Sequence, residues 1–135
     1  MTAQRNAAAT TPSDTGSEPD AGRTPLLPRP DRTTAGLRAA LARLSPQQLP
    51  EMERQMDEAL SLAARTGTLA PLTRFLDSWA VTVEITRFPQ AAARLREAEH
   101  TARSVRQDDP AWRTAMDEIR DLQTQARKAL ASGGA

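Results

Sequence analysis

The stretch TGTLAPLTRFLDSWAVTVEITRFP, residues 66–89, decides how the chain is read, and it holds Phe75, Trp79 and Phe88, three of the four aromatic residues. Two periodicities compete in it. Leu69, Leu72, Phe75, Leu76, Trp79, Ala80 and Val83 recur at i, i+3 and i+4 over four turns, the stripe of an amphipathic helix. The end of the stretch, AVTVEIT (80–86), is β-branched and alternating, which taken alone suggests a strand. A single strand with no partner elsewhere cannot satisfy its backbone, so the whole stretch is predicted to be helical. Pro71 falls in the first turn, where amide donors lack intrahelical partners anyway, and Phe88-Pro89 closes this helix and opens the next.

The flanks repeat the pattern. Leu37, Leu41 and Leu44 share one face of TTAGLRAALARL. Residues 46–49 read as a separate tight turn, because Pro50 would crowd a helix begun at Pro46. From Pro50, Met52, Met56, Ala59, Leu60 and Ala63 form a stripe that Leu49 precedes, and Gly67 is placed as a left-handed C-cap. After Pro89, the helix PQAAARLREAEHTARSV aligns Ala92, Leu95, Ala98 or Glu99, Ala102 and Val105. Asp108-Asp109-Pro110 then starts a last helix with Trp112, Met116, Ile119, Leu122 (or Gln123), Ala126 and Leu130 on one face. The expected fold is all-α: a small bundle of about five amphipathic helices over residues 33–131. Residues 1–32 contain five prolines and few large apolar side chains, and read as a disordered N-terminal tail, either passive or with TPLLPRP (24–30) as an extended docking strip.

Formal charge is +1, from 18 basic and 17 acidic residues, so no global field draws the chain to nucleic acid or acidic lipid. The absence of cysteine removes disulfides and thiolate chemistry. The opening MTAQRNAAATTPSD lacks the continuous apolar segment of a secretory signal, and no run is apolar enough to span a bilayer. The expectation is a cytoplasmic protein with no membrane association.

The residues also argue against an enzyme. His100 is the single histidine, with Glu97 three residues before it and only Thr101 and Ser104 as nearby nucleophile candidates, on a face that reads as exposed, so no positioned nucleophile–base arrangement is expected. One histidine without cysteine builds no zinc site, and no glycine-rich phosphate loop occurs. No catalytic, cofactor-binding or metal-binding residue is expected, and no cofactor. What remains is interaction, with Phe75, Trp79, Phe88, Trp112 and Met116 as candidate anchors of the core or of a partner surface. The alternative is a DNA-binding transcriptional regulator. It would use the helix pair over 51–87, or the basic helix over 89–105 with Arg94, Arg96, Arg103 and Arg106 on phosphate.

The segments LRAALARLSPQQLPEMERQMDEAL (37–60) and TLAPLTRFLDSWAVTVEITRFP (68–89) resemble a family of small, uncharacterised all-helical proteins of high-GC Gram-positive bacteria, a domain of unknown function. The shared features are an LRAAL-type first helix, an LPEFE-like stretch (here LPEME, 49–53) and an LAPL…FL..W segment from Leu69 to Trp79. The resemblance covers about residues 35–102. It implies a helical fold and carries over no site residue. Some relatives look like the antitoxin half of toxin–antitoxin pairs. The expected function is therefore a non-enzymatic helical interaction or regulatory module, antitoxin-like, whose protein partner is a toxin or a second copy of the chain.

Overall fold

The computed structural model describes residues 24–133. Five α-helices and one short 3₁₀ turn account for its regular structure: α1 (Thr34–Leu44), the turn Pro46–Gln48, α2 (Leu49–Thr66), α3 (Ala70–Thr86), α4 (Pro89–Ser104) and α5 (Pro110–Gly133). Among the described residues there is no strand.

Local signals set the boundaries. Thr33 caps α1 by accepting from the Gly36 amide at 3.0 Å. Gly67 ends α2 at φ 72°, ψ 21°, its N–H bonded to the Ala63 carbonyl, a left-handed position at which a β-carbon is penalised. Pro50, Pro71, Pro89 and Pro110 all fall in the first turns of their helices, where no hydrogen bond is lost.

Helix α3 is the centre. Helices α1 and α2 pack against it on one side, and α4 and α5 on the other. Phe75, Trp79, Ala80 and Val83 join Leu37, Leu41, Met52 and Ala59 in the larger core cluster. Val81 and Ile85 turn the other way and meet Leu122 and Ala126. This two-sided burial explains why 80–86 mimics a strand. Positions 81 and 83 lie about 200° apart on a helix at about 100° per residue, so apolar groups at 81, 83 and 85 feed two opposite cores. The hydroxyls between them stay within the helix: Thr82 donates to the Ser78 carbonyl (3.3 Å) and Thr86 to that of Thr82 (2.6 Å).

Two stripe positions depart from expectation. Leu60 (48 % exposed) and Leu69 (72 % exposed) lie outside the core, the latter because it precedes α3 rather than belonging to it.

The predicted tail, 1–32, divides. Residues 1–23 lie outside the described residues. Residues 24–32 form no helix or strand, yet they are docked, which corrects the boundary at 32/33. The Leu26 amide donates to the Arg87 carbonyl at 2.7 Å, Leu27 packs on the larger core cluster, and Arg32 pairs with Asp77 of α3 at 2.8 Å. The extended strip read at 24–30 thus lies against the chain's own helices.

Candidate functional site

Of the five anchors named from sequence, two are core. Phe75 and Trp79 are 6 % and 5 % exposed, and the Trp79 indole N–H donates to the Gln55 amide oxygen at 2.9 Å, tying α3 to α2. Phe88, Trp112 and Met116 are half-buried. Phe88 lies under the Arg87 guanidinium, 4.7 Å from ring centroid to cation, a cation–π contact.

Trp112 and Met116 have a different setting. Helix α5 has 24 residues, about 36 Å at 1.5 Å per residue, and α4 has 16. The core contacts of α5 run through Leu122, Ala126 and Leu130, toward its C-terminal end. The N-terminal half pairs with α4 to form an arm, joined by Ala98 and Ala115, both buried, and by an Arg94–Glu118 ion pair. On this arm Trp112, Met116 and Ile119, at i, i+4 and i+7, are half-buried and belong to neither core cluster.

The four arginines named for nucleic acid do not act alike. Arg94 donates to Glu118 and Arg106 to Asp108, so both are already charge-matched. Arg96 and Arg103 form no ion pair among the described residues. His100 is exposed on α4; the Ser104 hydroxyl donates to the His100 carbonyl at 2.7 Å, the ordinary back-bond of a helical serine. Among the described residues no three His, Cys, Asp or Glu side chains gather as a metal ion would require. No described helix is long and apolar enough to cross a membrane.

The sequence reading missed the most tightly built polar cluster. Glu84, 4 % exposed, receives both guanidinium forks. Arg29 donates through Nε to Oε1 (2.9 Å) and Nη2 to Oε2 (3.0 Å), and Arg87 through Nε to Oε1 (3.0 Å) and Nη2 to Oε2 (3.4 Å). Arg87 also donates to the Leu27 carbonyl at 3.1 Å. Burial is the largest single influence on the Glu84 carboxyl and opposes its ionisation. The hydrogen bonds and charges of Arg29 and Arg87 together outweigh it and hold the group below the usual carboxylate range. Only the i, i+3 pair of Glu84 and Arg87 was visible in the sequence. Arg29 lies 55 residues away, in a segment whose composition advertises no structure. The arrangement clamps residues 24–32 to the end of α3.

These features define a small all-helical domain with a clamped N-terminal strap and a two-helix arm. Residues 25–129 match a family of unknown function, DUF6247, and the chain belongs to that family. The match takes in the strap and most of α5, beyond the span of 35–102 expected from the motifs. No curated protein and no solved structure matches the chain.

Proposed function

We propose that this chain is a non-enzymatic helical module that works by binding another protein, and that the open face of the α4–α5 arm makes the contact. One observation carries the reading. Trp112, Met116 and Ile119 form a helical stripe that neither core cluster takes up. Tryptophan and methionine are enriched in protein interfaces, and a partner helix laid along such a stripe would bury what the arm leaves half-open. An antitoxin-like role, with a toxin as partner, is one form of this function; pairing of two copies is another.

The test is affinity capture from the native host with the wild-type chain and Met116→Arg in parallel, with light scattering on both and circular dichroism to establish that the variant is folded. A partner, or a dimer, that is present with wild type and absent with the folded variant supports the proposal. An identical set of partners for both proteins, or a monomer that captures nothing, refutes it. The DNA-binding alternative is poorer, since Arg94 and Arg106 are already occupied by carboxylates. Retention on DNA at low salt, lost in Arg96→Ala/Arg103→Ala, would restore it.

A further inference from the structure

Between the α1–α2 turn, α3 and the arm lies a cleft of about 280 Å³, just under the range of small-molecule pockets, about 300–1,000 Å³. Its apolar lining is Leu44, Val81, Ile85 and Leu95. Three polar observations give it a chemistry.

Ser45 lines the cleft and is only 7 % exposed. Its backbone is fully used: the amide donates to the Leu41 carbonyl, and its own carbonyl accepts from the Gln48 amide. Its hydroxyl caps nothing, although it precedes a 3₁₀ turn, and has no hydrogen-bond partner among the described residues. It is not sealed off either, since it is absent from the fully enclosed unpaired atoms. The cleft is where it opens. A nearly buried hydroxyl without a protein partner is satisfied by water or by a ligand.

Arg96 of α4 and Arg127 of α5 line the same cleft, and neither forms an ion pair with a described carboxylate, although Glu99 lines it too. Two guanidiniums against one carboxylate leave the lining with a single net positive charge. That matches a monoanion better than a phosphate monoester, which carries close to two negative charges. A guanidinium fork also fits the planar carboxylate geometry.

We propose that this cleft binds a small amphipathic monocarboxylate. Arg96 and Arg127 hold the carboxylate, the Ser45 hydroxyl and the Gln123 amide supply further hydrogen bonds, and the apolar lining takes a short hydrocarbon body. The site is independent of the protein-binding face proposed for Trp112 and Met116, so either can fail alone. Because its lining comes from the turn, α3, α4 and the C-terminal half of α5 together, an occupant bridges the two halves of the bundle and raises the melting temperature by mass action.

The experiment is an amide-resolved NMR titration of the full chain with hexanoate, alongside hexylammonium and inorganic phosphate, with thermal melts of each mixture. The expected result is saturable shifts at Ser45, Gln47, Thr82 and Arg96 with hexanoate, and none there with hexylammonium. Arg96→Gln/Arg127→Gln, at two exposed positions, keeps the wild-type melting temperature without ligand and weakens hexanoate at least about tenfold. The proposal is overturned if hexanoate gives no saturable shift, if hexylammonium moves the same amides equally, or if the double variant binds as well as wild type. Inorganic phosphate binding more tightly than hexanoate overturns the choice of a carboxylate.

Discussion

Replacing Glu84 by leucine keeps the side-chain volume and removes the one carboxylate on which Arg29 and Arg87 converge. The side chains of Glu84, Arg87 and Arg29 are 5 %, 9 % and 28 % exposed. After the substitution, Arg87 keeps only the Leu27 carbonyl as a hydrogen-bond acceptor, in a site too buried for water to replace the loss. Breaking a buried pair from one side costs about 3–5 kcal/mol. The lower end applies here, about 3 kcal/mol, because the more exposed Arg29 can swing into solvent. Arg29→Ala is much milder, about 1 kcal/mol, since Glu84 keeps Arg87. In the Glu84→Leu background Arg29 has nothing left to hold, so Arg29→Ala should then cost close to nothing, a coupling of about 1 kcal/mol. Urea unfolding followed by circular dichroism gives all four corners of this cycle. Amide exchange at Leu26, whose N–H is bonded to the Arg87 carbonyl, reports strap release separately and should quicken in Arg29→Ala. If Glu84→Leu costs under about 1 kcal/mol, or if Arg29→Ala costs the same in both backgrounds, the clamp is not what holds the strap.

The same cluster sets a pH dependence. The Glu84 carboxyl titrates lower folded than unfolded, so its stabilisation is complete above the unfolded value, about 4.3, and declines as pH falls through the folded value; the stability–pH slope in acid should flatten in Glu84→Gln. Gly67→Ala should cost about 1–2 kcal/mol in urea unfolding: a β-carbon there meets no atom within 4 Å, so the loss is that of the left-handed backbone alone. Trp79→Phe, which abandons the Gln55 hydrogen bond, should cost about 1 kcal/mol, and the remaining Trp112 should emit to the red and be readily quenched by acrylamide, the opposite of Trp79 in Trp112→Phe. A β-carbon on Gly133 would run into the Arg29 guanidinium, so Gly133→Ala should destabilise the wild type by displacing Arg29, yet be neutral or slightly stabilising in Arg29→Ala, where only helix propensity remains.

What could be read from the sequence was local. The helix starts at Thr33, Pro71, Pro89 and Pro110, the stop at Gly67, and the separate turn at 46–48 are each written within a few residues of where they act. The stripe through Phe75, Trp79 and Val83 identified one face of α3 correctly. Its second face, Val81 and Ile85, looked like strand alternation because a pattern of period two does not distinguish a pleated strand from a helix buried on opposite sides. The strap was misjudged for another reason. Proline and small polar residues do argue that residues 24–32 form no regular structure, and they form none. They do not argue that the segment is undocked, which depends on Glu84 and Arg87 more than fifty residues away. The unpartnered Ser45 was not legible at all, since nothing local tells a hydroxyl that caps from one that opens on a cleft.

Helix α5 connects the features that remain. Its C-terminal end lies beside Arg29 of the strap, Leu130 and Leu122 enter the two core clusters, Arg127 and Gln123 line the cleft, and Trp112 and Met116 are half-buried on the arm. The core clusters draw on the second half of the helix. The first half packs on α4 through the buried Ala98 and Ala115 and the Arg94–Glu118 ion pair, and its Trp112, Met116 and Ile119 stay half-buried outside both core clusters. On the proposal that this stripe binds a partner, the continuous helix that ties it to the core presents it rigidly. Rigid presentation reduces the entropy lost on binding, so a glycine pair introduced at Arg120 and Asp121, between arm and core, should weaken partner capture while leaving the core clusters intact.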